Sequence, residues 1–284
     1  MHERLRANQP PLEIYPLPEV AWRILRLTSD LEIESRTLEE VIQREPALVA
    51  RILRRANSAQ FAVSGQVSTI HRAAVILGNR RLRSIAVLLS LEGVFGRTAL
   101  GRRVWEHSLA VAFACRELAP YCSVRNDEEA FVAGLLHDVG KTILDRCFPS
   151  EYAELVESAE SSREPLLQAE REAFGTDHTE LGAQAALSWG LPLQLEEVIR
   201  LHHAPSEAAV DPTFCALVQV ADVACQSLGI GEGDEPGPTV LDYEPDSLFL
   251  LDPDLVAHIC EPIRSMLEME ACYFGFNSPS TRPC

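Results

Sequence analysis

The stretch FVAGLLHDVGK, Phe131 to Lys141, decides how the rest of this chain is interpreted. It places His137 and Asp138 side by side after an apolar run, and a lysine follows one helical turn later. Neither an imidazole nor a carboxylate is stable among leucines unless a partner satisfies it. A divalent cation is such a partner, because both groups are good metal donors. A His–Asp hydrogen bond that only holds the core together is the alternative, and a two-residue motif does not decide between them.

The composition is that of a globular protein with a sizeable core. The chain has 284 residues, of which 46% are hydrophobic and 24% are charged, as in ordinary folded domains. Nearly uncharged apolar runs such as residues 84–91 are too short to span a bilayer, and the polar N-terminus has no secretory segment. The eight cysteines show no CxxC or other zinc-like spacing. We therefore expect reduced thiols, a cytoplasmic location and no membrane partner.

Charge is distributed unevenly along the chain. The formal net charge is −17, yet residues 1–98 carry 14 arginines against 10 acids and residues 99–284 carry 11 basic residues against 32 acids. This asymmetry predicts two functionally distinct regions, and the arginine-bearing first region is a candidate contact surface for a protein partner. The acidic balance argues against general nucleic-acid binding. Lys141 is the only lysine in the sequence, which suggests a need for an ammonium group there, as beside a phosphate-containing small molecule.

Apolar periodicity predicts an all-α fold. Apolar residues recur at helical spacing between about residues 17 and 228, and Asn126, Asp177 and Asp211 are typical helix N-caps. No hairpin signal and no long internal repeat interrupts this pattern. We expect one helix to begin after Asn126 and to carry both His137 and Asp138.

The same signals divide the chain into five segments. These are a flexible N-terminus (1–12), an N-terminal helical part (13–98), a helical core (99–228), an acidic Gly/Pro-rich loop (229–247) and a C-terminal helix and tail (248–284).

Seven potential metal donors lie on five of the predicted helices. They are His107, His137, Asp138, His178, His202, His203 and Asp222. A single ion takes about four to six ligands, so seven donors suggest two metals, with Asp138 able to bridge them. Each donor also has an ordinary explanation, such as a favourable position at a helix C-terminus for His202 and His203. Together these explanations require several coincidences.

Several blocks of the sequence resemble the HDOD family, which is related to the HD superfamily of metal-dependent phosphohydrolases. The resemblance covers about residues 17–223 and is carried by LPEVAWRILRL, TLEEVIQREPALVARILRRANSAQF, STIHRAAVILGNRRLRSIAV, AFVAGLLHDVGKTIL, AFGTDHTELGAQAALSWGLP, RLHH and QVADVA. It implies a multi-helix bundle with an N-terminal helical subdomain and an HD-like core, acting in bacterial signal transduction. Many family members are thought to lack catalysis, whereas the metal donors of this chain look complete.

The resemblance also implies how the donors divide between two ions. One ion would be held by His107, His137, Asp138 and Asp222, and the other by His178, His202, His203 and the shared Asp138. Lys141 would face a substrate phosphate, so Asp138 and Lys141 are the expected catalytic residues of a phosphohydrolase acting on a nucleotide or another phosphate ester. Imidazole with carboxylate suits iron, manganese, nickel or zinc alike, which leaves the metal open.

Two departures from related enzymes argue against cyclic di-GMP hydrolysis. The HD-GYP phosphodiesterases carry a Gly-Tyr-Pro signature after the paired histidines, whereas here His203 is followed by APSEAAVDPT. Some of those enzymes also have a glutamate one turn before the first histidine, where this chain has Arg103. Two functions stay open: a signalling module that binds metal and engages a partner, and a metal-dependent phosphohydrolase.

Overall fold

The computed structural model describes residues 12–27, 33–58, 66–92, 94, 98–162, 165–230 and 253–274. Within these ranges the ordered elements are all helical and there is no β-strand, which confirms the predicted all-α class. None of the described helices is long and apolar enough to cross a membrane. Residues 1–11 of the proposed flexible N-terminus, most of the acidic loop and the last ten residues lie outside the described residues.

Five described helices make up the N-terminal part. Their bounds are α1 Glu19–Leu25, α2 Ile33–Gln43, α3 Pro46–Ala56, α4 Ile70–Leu77 and α5 Asn79–Leu91. Helix α3 begins at Pro46 because proline has no N–H to leave unsatisfied in a first turn. Gly78 joins α4 to α5 with a φ of 79°. Glycine adopts this conformation without steric cost, so the two helices meet in a tight corner.

The core and the C-terminal region follow. Their helices are α6 Ala99–Leu118, α7 Asp127–Leu136, α8 Val139–Cys147, α9 Pro149–Ser162, α10 Leu166–Phe174, α11 His178–Ser188, α12 Leu193–Leu201, α13 Pro212–Ser227, α14 Pro253–Cys260 and α15 Ile263–Phe274. The single C-terminal helix expected from the sequence is thus two helices. The break falls next to Pro262, whose ring and missing N–H do not allow the preceding helix to continue.

The His137–Asp138 step also differs from the expectation of one continuous helix. Helix α7 ends at Leu136 and α8 begins at Val139. Asp138 has φ −100° and ψ 19°, which lies outside the α-helical range. The change of direction allows α8 to pack against α11. The sequence hides this break because apolar residues flank it on both sides.

One continuous hydrophobic cluster joins the N-terminal part to the core. Helix α6 lies inside it, with fourteen of its twenty residues buried. A Cβ at Gly134 would lie 2.8 Å from the Cα of Ala112, so the backbones of α7 and α6 approach closely. This approach places the rings of His107 and His137 with centroids 5.4 Å apart.

Candidate metal centre

The structure brings all seven predicted donors together in the core. Six of them are at most 3% exposed, namely His107, His137, Asp138, His178, His202 and Asp222. Their donor atoms, with those of the exposed His203, form three overlapping groups within which the atoms lie no more than 4.8 Å apart. The groups are His178–His202–His203, His107–His137–Asp222 and His137–Asp138–His202.

Asp138 lies between the two halves of this cluster. Its Oδ2 is 3.2 Å from Nε2 of His137 and 3.8 Å from Nε2 of His107. Its Oδ1 is 3.5 Å from Nε2 of His178 and 3.7 Å from Nε2 of His202. Each carboxylate oxygen therefore faces a different pair of imidazoles, as a bridging ligand requires.

The remaining two donors, Asp222 and His203, lie on opposite sides of Asp138. On one side, Oδ1 of Asp222 lies 2.9 Å from Nε2 of His107 and 4.0 Å from Nε2 of His137. On the other side, the Nε2 atoms of His178 and His203 are 3.2 Å apart. Two ring nitrogens at this distance repel each other unless a proton or a cation lies between them.

The buried imidazoles present the same ring nitrogen to the centre. Their Nδ1 atoms have outward acceptors: Ile230 O for His107 (3.1 Å), Gly134 O for His137 (2.8 Å), Ile199 O for His202 (3.1 Å) and Glu170 Oε2 for His178 (2.7 Å). Because a carbonyl or carboxylate oxygen only accepts, each Nδ1 carries the proton. The Nε2 atoms are then free of hydrogen and suited to bind a metal.

The residues present fit a divalent cation. Nε2 of His137, Oδ1 of Asp138 and Nε2 of His202 are buried without a hydrogen-bond partner in the part of the chain that the structure describes. Leaving one such atom unsatisfied costs about 1–3 kcal/mol, and native proteins leave few of them. All three atoms face the same small volume, so one kind of ligand, a cation, satisfies them together.

Electrostatics keep the two acids ionised. Burial by itself raises the pKa of Asp138, but His137 and Lys141 outweigh it and hold that pKa well below its usual range. Burial likewise opposes ionisation of Asp222, and the adjacent imidazole of His107 lowers the pKa of that carboxyl in spite of it. Ionised carboxylates are the form that binds a cation.

Burial lowers the pKa of His202 well below its usual value, which keeps this imidazole neutral as metal binding requires. Burial also acts to lower the pKa of His178, but the carboxylate of Glu170 outweighs it and the net shift is upward. His178 is therefore protonated at a higher pH than His202, and a cation that binds its Nε2 must compete with that proton.

Lys141 belongs to the same cluster. It is 4% exposed, and its Nζ lies 2.9 Å from Oδ2 of Asp138. The first turn of α8 places it there, three residues after Asp138. The contact with Asp138 is an observation, and the expected contact with a substrate phosphate stays a prediction.

Gly140, in the HDVGK sequence, allows two helices to approach closely. A Cβ at this position would overlap the main-chain carbonyl of His178. Glycine therefore allows the backbone of α8 to lie against the start of α11. This approach brings Asp138 and His178, which are distant in sequence, into the same centre.

Glu170 is a site residue that sequence reasoning missed. It is fully buried on α10. Its Oε2 accepts hydrogen bonds from the main-chain N–H of His178 (2.9 Å) and from Nδ1 of the same residue (2.7 Å), and its Oε1 accepts one from the hydroxyl of Tyr152 (2.6 Å). A signal was available, because Glu170 shares the apolar face of α10 with Ala173 and Phe174. An acid on such a face is costly without a partner.

Comparison with known proteins gives a family match and a similar solved structure. The HDOD domain family matches residues 14–205 of the chain. A solved structure of an HDOD domain protein of unknown function from Geobacter sulfurreducens is 24% identical, covers 96% of this chain and 94% of its own, and superposes with a TM-score of 0.71. At this identity the likeness establishes the fold alone.

Two curated relatives are considerably longer than this chain. An uncharacterized protein of Treponema pallidum (strain Nichols) is 24% identical over 229 residues, which are 79% of this chain and 44% of that protein. Ribonuclease Y of Thermosipho melanesiensis is 26% identical over 191 residues, or 66% of this chain and 29% of that protein. The chain thus spans less than half the length of these relatives.

Proposed function

The chain belongs to the HDOD domain family, and on that premise we propose that it is a cytoplasmic signal-transduction module whose core holds two divalent metal ions. The proposed ligands of the first ion are His107, His137, Asp138 and Asp222, and those of the second are His178, His202, His203 and the shared Asp138. The observation that carries the proposal is the convergence of seven donors, with the Nε2 atoms of the buried rings turned toward one carboxylate.

A purely structural histidine–aspartate network is the competing explanation. Such a network stabilises a core only when its members are satisfied, because half-satisfied polar groups cost more than apolar ones. Here His137, Asp138 and His202 each keep a buried atom without a hydrogen bond in the described chain. The arrangement therefore favours a cation over a self-contained network.

Elemental analysis of the purified protein tests the metal centre. After incubation with manganese, iron, nickel or zinc and removal of the excess, we expect about two ions of at least one metal per chain. Asp138→Ala should lose both ions, because it removes the shared ligand. His71→Ala is the matched control, since His71 is an exposed histidine that pairs with Glu39 away from the centre. A wild-type chain that retains no stoichiometric metal would overturn the proposal.

Hydrolysis of a phosphodiester is a second candidate function. It is favoured by the match to ribonuclease Y and by the exposure of His203, the one donor of the seven that solvent reaches. Divalent ions would supply Lewis acidity and a water molecule of lowered pKa. The edge at His203 is the side from which a substrate would reach the centre. There the ammonium of Lys141, next to Asp138, would offset the charge of a phosphate group.

The proposed substrates are nucleotides and short phosphodiesters. Cyclic di-GMP is left out because no Gly-Tyr-Pro sequence follows His203. The metal-loaded protein should be assayed with bis(p-nitrophenyl) phosphate, a panel of nucleotides and short RNA oligonucleotides. We expect turnover that Asp138→Ala reduces at least about 100-fold, as for loss of a central catalytic group. Full metal occupancy without turnover of any substrate would remove the enzyme and leave the metal-bound signalling module.

A further inference from the structure

We propose that Glu170 and Tyr152 are a positioning pair that fixes the ring of His178 for the second metal ion, an assignment that rests on the proposed function. The contacts form a chain across three helices, from the hydroxyl of Tyr152 on α9, through the carboxylate of Glu170 on α10, to His178 at the start of α11. All three residues are at most 1% exposed. Water is therefore excluded as a competing partner.

The carboxylate holds His178 at two points. One oxygen of Glu170 accepts both the main-chain N–H and the ring Nδ1–H of His178. These two bonds fix the position of the backbone and the orientation of the imidazole together. They also assign the tautomer in which Nε2 is bare and faces Oδ1 of Asp138, 3.5 Å away.

Tyr152 fixes the carboxylate in turn. Its hydroxyl donates to the other oxygen of Glu170 at 2.6 Å. Its ring packs edge-on against Phe174, with centroids 6.1 Å apart, and Phe174 stacks on Phe148 at 5.0 Å. The aromatic cluster limits the movement of the phenol ring, so the hydrogen bond acts from a rigid support.

His178 differs in this respect from the other buried rings. Nδ1 of His107, His137 and His202 donates to main-chain carbonyls. In contrast, Nδ1 of His178 donates to a carboxylate from another helix. A carboxylate behind a histidine makes the imidazole a stronger ligand, and its loss typically costs about 10–100-fold in metal affinity. The half of the centre that contains His178 should therefore depend on the packing of α9 and α10, and the other half should not.

Calorimetric titration of the full chain with Mn²⁺ tests this assignment. Glu170→Gln preserves the size of the side chain. It should reduce the affinity for one of the two ions by about 10–100-fold and leave the affinity for the other unchanged. Tyr152→Phe should weaken the same ion by less than about 10-fold, because it removes only the support of the carboxylate. If Glu170→Gln does not fold, as judged by circular dichroism, Tyr152→Phe carries the test, and wild-type affinity for both ions in that variant would contradict the positioning pair.

Zinc-loaded protein supplies that readout. In the wild type, the Nδ1 proton of His178 should give a downfield proton resonance, which should move upfield in Glu170→Gln because a neutral amide is a weaker acceptor. Asp145→Asn is the matched control. Its carboxylate is also buried and accepts a hydroxyl hydrogen bond, from Thr98, but it touches no donor of the centre.

The outcomes separate the two proposals. If the wild type binds two ions and Glu170→Gln binds both as tightly as Asp145→Asn does, the positioning role is wrong and the metal centre stands. An unchanged resonance of His178 in Glu170→Gln would contradict the positioning role in the same way. A wild-type chain that binds no ion would overturn the metal centre and the positioning role together.

Discussion

The N-terminal part and the core are both packed from amphipathic helices, but they bury very different side chains. Among the buried polar or charged residues that the structure describes, Arg55 and Ser84 lie before residue 98, and the other seventeen lie between residues 98 and 230. In the N-terminal part, the buried side chains are almost all apolar. The second region instead buries many polar and ionisable groups, each of which is costly without a partner, and this is the expected pattern for a site built to hold a ligand.

The arginines of the N-terminal part illustrate the same contrast. Arg83 donates to the carbonyls of Ile24 and Leu25, at the end of α1, and Arg51 donates to the carbonyl of Leu89 near the end of α5. Cations at helix C-termini satisfy orphan carbonyls and the helix dipole. Part of the positive charge that the sequence analysis assigned to a partner surface is therefore used inside the fold. That surface stays a prediction.

Leu82→Ala should produce the largest effect on stability and should sharpen the comparison. Leu82 is fully buried in α5, so the truncation leaves a cavity that costs about 2–5 kcal/mol. Urea unfolding of the metal-free protein measures this loss. The metal content of the folded variant should equal that of the wild type, since α5 supplies no donor. If Leu82→Ala had wild-type stability and bound fewer metal ions than the wild type, the two regions would not be distinct in this way.

Gly140→Ala should affect both stability and the metal centre. The added Cβ overlaps the main-chain carbonyl of His178, and relief of such overpacking costs about 1–3 kcal/mol. Because α8 and α11 must separate, metal affinity should fall as well. Thermal unfolding and metal titration of the same sample provide both measurements, with Leu82→Ala as the control that loses stability alone. Wild-type affinity in Gly140→Ala would show that the close approach is dispensable.

Glu197→Gln should give a smaller, pH-dependent effect in the core. Burial raises the pKa of Glu197, but hydrogen bonds from the backbone N–H groups of Asp211, Val210 and Ala209 outweigh it and lower that pKa. A lowered folded-state pKa stabilises the fold above the unfolded-state pKa, and this stability is lost as the pH falls through the folded-state value. At pH 7 the substitution should cost about 1–3 kcal/mol.

The pH dependence is the check on that prediction. The difference in unfolding free energy between wild type and Glu197→Gln should shrink as the pH falls below about 4.3, the ordinary glutamate pKa. A difference that stays constant down to pH 3 would contradict the assigned role of the three N–H groups.

Helix type and many helix starts could be predicted from the sequence because they depend on local chemistry. The side chains of Asn126, Asp177 and Asp211 do accept hydrogen bonds from main-chain N–H groups in the first turns of their helices. The break at His137–Asp138 could not be predicted, because it depends on the packing of α8 against α11. No local pattern reports such a tertiary contact.

The candidate site divides in the same way. Histidines and acids in apolar helices stand out against their neighbours, so the seven donors could be identified from residue type and position. Glu170 lies in the charged stretch EREAF, between Ala169 and Arg171. Its helical spacing with Ala173 and Phe174 indicates an acid on an apolar face, but only the fold shows that it supports His178.

Anomalous diffraction from crystals of the metal-loaded protein tests the central claim most directly. We expect two anomalous peaks about 3.5–4 Å apart, with the carboxylate of Asp138 between them and the imidazoles of His107 and His178 on opposite sides. A core without any peak, or peaks confined to surface residues such as His71, would contradict it.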